Sequence, residues 1–238
     1  MAEALLEACY RGQRGAVDQL LSSGAEVNAA KADNGVTPLM VSCQNGHSGV
    51  VPLLLAAGAD VNAARTDDGF TALIWASEKG HSGVVPLLIS AGADANAATR
   101  KGHTALMWSC QYGHSNVVPP LISAGADVNA ATPNDGCTAL MLASEGGHSG
   151  VVPLLLAAGA EVNQGTTDDG STALMLASEN GHSDVVPLLL AAGANANAAR
   201  TDTGCTALMG ASQNGHCDVV PLLLAAGANV LALMAHKK

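Results

Sequence analysis

Residues 46–59 read "GHSGVVPLLLAAGA", and the same fourteen letters return at 147–160. The histidine at position 47 has counterparts at His81, His114, His148, His182 and His216, at steps of 34, 33, 34, 34 and 34 residues. Each follows a glycine and belongs to one template, clearest over 169–197 as "DGSTALMLASENGHSDVVPLLLAAGANAN". A catalytic pair has no reason to be copied six times, one structural unit apart, whereas a fixed period of this length marks a repeat architecture.

Within the template, Thr172 is placed to cap a helix predicted from Ala173 to about Asn180, and Gly181 to stop it. A second helix is predicted from about Ser183 to Ala192, closed by Gly193, with "ANANAARTDTG" as an extended return. Pro52, Pro86, Pro119, Pro153, Pro187 and Pro221 fall at about its fifth residue. Proline deprives such a position of its backbone bond and crowds the carbonyl four residues back, so the second helix should begin a residue or two late, near Val50 in the first full unit. Helices this short are marginal alone. Each pair must therefore stack on its neighbours to cover its apolar stripe.

Three elements of the template, "Gly35-Val36-Thr37-Pro38-Leu39", the Gly-His pair, and the run from Leu53 to Gly58 with Ala59, Asn62 and Ala63, resemble the ankyrin repeat over essentially the whole chain. The resemblance implies an all-α ankyrin-repeat solenoid of stacked helix-turn-helix units with finger-like loops, the first helices lining a concave side. On that reading residues 1–32 are an N-terminal capping repeat, 33–230 hold six repeats of period 33–34, and 231–238 form a C-terminal tail. It also implies that the Gly-His histidine hydrogen-bonds at a helix junction. It further implies that exposed loop asparagines such as Asn62, Asn129 and Asn163 can be hydroxylated by an oxygen-dependent enzyme.

The chain departs from the family in several places. Met40, Ile74, Met107, Met141, Met175 and Met209 stand where the family commonly has a second histidine, which replaces a hydrogen-bonding ring with adaptable apolar filling. Five of the six loops are one residue longer than the usual pattern; only "GADANAATRKG" (92–102) keeps the standard length. Pro119-Pro120 is expected to weaken the second helix of its unit. At the N-terminus, Gln13 replaces the repeated histidine, and Asp18 and Gln19 fall where later copies have Pro52 and Leu53, as an edited end requires. At the other end the tail is expected to cover the last helices in part, through Leu231, Leu233 and Met234.

Composition narrows the function. Only 13% of the 238 residues are charged and the formal net charge is −10, which argues against a nucleic-acid surface because that affinity comes largely from Lys and Arg. No apolar run approaches the roughly 18 residues of a spanning helix, and Glu3 and Glu7 interrupt the place of a secretory signal, so no membrane partner and an intracellular, cytoplasmic or nuclear location are expected. The six cysteines show no CxxC pairing and read as reduced thiols. No catalytic constellation, metal site or cofactor is predicted: the repeated histidines lie about 8–10 Å apart by helix packing, too far to share a zinc ion. Paired aspartates such as Asp67-Asp68 and Asp168-Asp169 read as solvated turn residues.

Between such similar copies, the positions that differ are informative. Four of the five aromatic residues, Phe70, Trp75, Trp108 and Tyr112, fall in two adjacent units. Trp75 lies two residues past the core Leu73 and four before Lys79, so Trp75 and Lys79 share a face distinct from the buried one, and Trp108 and Tyr112 repeat the relation. Arg65, Arg100, Lys101 and His103 mark the same region, whereas no Lys or Arg occurs from Gly102 to Ala199. Phe70, Trp75, Lys79, Arg100, Lys101, His103, Trp108 and Tyr112 are therefore the candidate site for a protein or peptide ligand, since Trp, Tyr and Arg dominate binding hot spots. Two other functions fit the sequence. One is a self-associating scaffold, monomeric apart from weak association through the C-terminal end. The other is the recognition part of a larger multidomain protein.

Overall fold

The computed structural model describes residues 1–230; the expected covering by Leu231, Leu233 and Met234 lies outside them. The backbone divides into two compact units, Met1–Ser109 with Asn116–Asp127, and Cys110–Ser115 with the chain from Val128 onward. All 14 regular elements among the described residues are helices. The first unit contains α1 (Ala2–Tyr10), α2 (Arg14–Ser22), α3 (Pro38–Gln44), α4 (Val51–Ala56), α5 (Ala72–Glu78), α6 (Val85–Ser90), most of α7 (Ala105–Gln111) and α8 (Val118–Ser123). The second contains α9 (Ala139–Glu145), α10 (Val152–Ala157), α11 (Ala173–Glu179), α12 (Val186–Ala191), α13 (Ala207–Gln213) and α14 (Val219–Ala225).

Each full repeat obeys the same local rules. In the first helix a threonine in extended conformation accepts a bond from the backbone N–H three residues on, as Thr71 does from Ile74 at 3.3 Å and Thr172 from Met175 at 3.4 Å. That satisfies one of the orphan donors of the helix start. A glycine with positive φ ends the helix, Gly181 at 76° for example, a conformation that costs an L side chain about 1–2 kcal/mol. The second helix begins late, as its proline requires: Val50 is the cap of α4, and Pro52 is the second helical residue, where no intrahelical acceptor exists to be lost.

The same rule corrects the expectation for Pro119-Pro120. Helix α8 spans six residues, as do α4 and α6, because both prolines occupy the first turn, whose N–H groups have no helical partner in any case.

The core is a stack of layers, one per repeat. Leu174, Met175, Val186 and Leu189 are buried in one such layer, and each fully buried aliphatic side chain contributes about 1.5–3 kcal/mol. The methionines and isoleucine that stand where the family favours histidine, from Met40 through Met209, are all buried. Helices α1, α3 and α5 lie side by side in the first unit, and α9, α11 and α13 in the second.

Polar bonds tie neighbouring repeats at three heights. Histidine Nε2 reaches the end of the preceding first helix: His47 to the Tyr10 carbonyl at 2.9 Å, His81 to that of Gln44 at 3.0 Å, and His182 to that of Glu145 at 2.7 Å. Asparagines bridge the helix ends; Asn62 donates to the Gly92 carbonyl at 3.1 Å and accepts from the Asp94 N–H at 2.8 Å. Asn129 and Asn163 make the same pair of bonds in the second unit. The loops stack as hairpins: Thr66 N–H donates to the Asn34 carbonyl at 3.0 Å, and Arg100 N–H to that of Asp68 at 2.8 Å. The extra residue of the long loops sits inside the turn, since the bridge pairs Ala64 with Thr71 but Ala98 with Thr104.

Candidate functional site

The aromatic residues of the first unit come together. Phe70 leaves its hairpin and Trp75 leaves the middle of α5; their rings are 4.7 Å apart, tilted by 42°. Phe70 also meets Trp108 of α7 at 5.6 Å, and His103 meets Trp108 at 5.2 Å. One continuous cluster thus runs from Trp75 through Phe70 and Trp108 to His103, with Phe70 touching both indoles. Such tilted contacts are each worth about 0.5–1.5 kcal/mol beyond burial. All four side chains are half-buried; Leu73 and Ile74 beside Trp75, and Leu106 and Met107 beside Trp108, face the core and leave the indoles at its margin.

Two cations flank Trp75. Lys79 Nζ lies 5.9 Å from the ring centroid, one helical turn on, and the Arg65 guanidinium lies 5.8 Å from it. A cation over an indole at this range is attracted by about 0.5–1 kcal/mol at an exposed site. Arg65 is absent from the sequence-based site, yet it is held there by a fork: Nε donates to Asp67 Oδ1 at 3.0 Å and Nη2 to Oδ2 at 2.5 Å. The Arg65 bond holds the Asp67 carboxyl below its usual range. The Arg-Thr-Asp-Asp run carries this arrangement, but its weight depends on an indole being overhead, which only the fold supplies.

The remaining sequence-based residues lie more loosely. Arg100 hydrogen-bonds the Thr66 carbonyl through Nη2, and Lys101 is exposed at the hairpin tip. Lys79 also pairs with Glu78 at 3.0 Å. Tyr112 falls in the second unit; it is 49% exposed and its ring stacks on His114 at 6.2 Å.

Arg200, in the equivalent hairpin place to Arg65, shows what the indole contributes. The position of Trp75 is taken there by Gly210, so no ring receives the guanidinium. Arg200 turns instead to Glu179 at 2.7 Å and Asp169 at 3.5 Å.

The repeated hairpin stack, its histidine and asparagine ties and the period of the sequence all describe one architecture. The model for "Ankyrin repeats (3 copies)" matches at residues 5–99, 88–166 and 164–233. The chain belongs to the ankyrin repeat family. A solved structure, that of the human ASB11 ankyrin repeat domain, is similar at 26% identity with a TM-score of 0.82, covering 93% of this chain and 96% of that one. No curated protein sequence matches. Ankyrin repeats generally mediate protein–protein interactions and are typically non-catalytic, and they bind protein partners. Among the described residues of this ankyrin chain, no helix is long and apolar enough to cross a membrane.

Proposed function

We propose that this chain is a non-catalytic recognition module that binds a partner protein or peptide on the concave face of its repeats, centred in the first unit on Phe70, Trp75, Trp108 and His103. The observation that carries the reading is the aromatic cluster itself: Phe70 lies within 5.6 Å of both indoles, half-exposed, in a chain with only five aromatic residues. Lys79 lies 5.9 Å from the Trp75 ring, and Arg100 and Lys101 precede His103 in the next hairpin, so an apolar anchor beside a carboxylate is the partner chemistry that fits.

Affinity capture with the parent chain and with the Trp75→Ala, Trp108→Ala double variant tests this. Capture should be lost in the variant while far-ultraviolet dichroism stays that of the parent; a partner retained at equal strength would overturn the reading. A self-associating array is the second reading, supported by the exposed Leu224 (43%) and Val230 (50%) beside the last helix. Light scattering over a concentration series separates the two, since a constant mass removes self-association.

A further inference from the structure

Asparagine is followed by glycine at four places, Asn34-Gly35, Asn45-Gly46, Asn180-Gly181 and Asn214-Gly215. Such a pair is chemically labile, because the glycine nitrogen has no side chain beside it to keep it from the asparagine amide carbon. The fold restrains three of the pairs. Asn45, Asn180 and Asn214 cap the C-terminal ends of α3, α11 and α13, and each side-chain NH2 donates to a carbonyl: of Val41 at 2.8 Å, Leu176 at 2.9 Å and Glu179 at 2.8 Å. At two of them a histidine also closes over the glycine, where a Cβ would stand 2.6 Å from His81 Nδ1 at Gly46 and 2.5 Å from His216 Nδ1 at Gly181. Asn34 is held differently. Its Oδ1 accepts from the Val36 N–H at 3.2 Å, which draws electrons from the amide carbon, and among the described residues nothing accepts from its NH2. Its hairpin is also closed less firmly. The five later hairpins each carry a backbone bridge, from Ala64 with Thr71 to Ala199 with Thr206, and this one has none. The cause is local: Pro38 follows Thr37 where the other copies have alanine, and it has no N–H to offer the facing strand. Opening this turn frees the Gly35 N–H from the Lys31 carbonyl, 2.8 Å away, with no bridge to break.

We propose that Asn34-Gly35 is a self-modification site, at which the native fold directs spontaneous deamidation to this pair and away from the other three. The Gly35 nitrogen gives its proton to solvent hydroxide and bonds to Asn34 Cγ; the Cγ–Nδ2 bond breaks, and ammonia leaves with a proton from water. Water then opens the cyclic imide. Cleavage on the Cγ side leaves aspartate in an ordinary chain, whereas cleavage on the main-chain side leaves isoaspartate, with the chain running through Cγ and the former main-chain carbonyl turned into a carboxylate. The net change is hydrolysis, and nothing is oxidised or reduced. The two products differ in consequence. Aspartate fits, since Asp68, Asp135 and Asp169 hold the equivalent place in other long hairpins and each accepts from the N–H two residues on, as Asn34 does. Isoaspartate removes the Asn34 carbonyl that accepts from the Thr66 N–H at 3.0 Å, so it parts this hairpin from the next. The site shares no residue with the aromatic cluster.

The test incubates the full chain in mildly alkaline buffer, folded and in urea, and follows the four Asn-Gly pairs by peptide mass spectrometry with electron-transfer fragmentation, which distinguishes aspartate from isoaspartate. In the folded chain Asn34 should convert about tenfold or more faster than Asn45, Asn180 and Asn214, because the rate follows the population of the opened turn. In urea all these pairs should convert at similar rates. Pro38→Ala supplies the missing N–H and should slow Asn34 roughly two- to tenfold, the range expected for one hydrogen bond. Asn34→Thr places there the residue type of Thr203, whose Oγ1 accepts from Cys205 N–H in the equivalent turn, and should end conversion at this site with the dichroism of the parent. Hydrogen exchange at Thr66 N–H should quicken in chains that carry isoaspartate and stay slow in Asn34→Asp. Equal rates at the pairs in the folded chain, an Asn34 that still leads in urea, a Pro38→Ala rate equal to the parent's, or unchanged exchange at Thr66 in isoaspartate chains would each overturn the proposal.

Discussion

His182 Nε2 lies 2.7 Å from the carbonyl oxygen of Glu145, and the other side of the same ring closes over Gly147, where a Cβ would stand 2.5 Å from Nδ1. One imidazole therefore does two things: it satisfies the end of the preceding helix and it forbids a side chain on the glycine that terminates that helix.

The two roles are separable by mutation. His182→Ala should cost about 0.5–1.5 kcal/mol, the net worth of one hydrogen bond near solvent. Gly147→Ala should cost more, because its φ of 71° is unfavourable to alanine by about 1–2 kcal/mol and the methyl group also strikes the ring. In the His182→Ala background the steric part should vanish, so Gly147→Ala should cost less there than in the parent. Urea midpoints for the four chains check this, and strictly additive losses would show that the ring and the glycine are not coupled.

Acid should act on the second unit through Asp169. Burial raises the affinity of this carboxyl for protons, but bonds from Thr166 and Ser171 and the Arg200 charge outweigh it and hold the pKa at about 2, below the ordinary 3.8. Thr166 Oγ1 donates to Oδ1 at 2.6 Å, and Ser171 N–H donates to the same oxygen at 2.9 Å. Because the folded value is the lower one, the stabilisation is fully present above the unfolded value and is lost as pH falls through about 2. Asp169→Asn should therefore flatten the fall in urea midpoint between pH 4 and pH 2. Parallel profiles for parent and variant would contradict the assignment.

Thiol labelling should proceed in an order set by burial. Cys217 is exposed, Cys137 and Cys205 are half-buried, and Cys9, Cys43 and Cys110 are buried. Burial first, with help from the Asp135, Glu145 and Asp168 carboxylates, pushes the Cys137 thiol up to about 11. Its thiolate fraction at pH 8 is then on the order of one in a thousand, and the thiolate is the nucleophile. A maleimide should modify Cys217 first, Cys137 far more slowly, and Cys43 and Cys110 only when the chain is denatured. Mass spectrometry of timed samples reads this order; equal early labelling of Cys137 and Cys217 would refute it.

Much of this was open to reading from the residues. The 34-residue period, the threonine before each first helix and the positive-φ glycine after it are local facts, so the helix ends at Thr172 and Gly181 could be assigned before any coordinates. The late start at Val50 followed from the fixed φ and missing N–H of Pro52. The same reasoning misjudged Pro119-Pro120, because the cost of a second proline depends on where the helix actually begins, and a first turn has no bond for it to break.

What the order of amino acids determined by itself was the repeat, its family and the helix pair, because these depend on spacing and on backbone preferences that act within a few residues. Tertiary structure decided which side chains meet across repeats. Phe70, five residues before Trp75 and 38 before Trp108, touches both indoles, and Arg65 rather than Arg100 lies over Trp75. Their distances are set by how one hairpin stacks on the next, and that stacking is fixed by packing between repeats, which no single stretch of the chain contains.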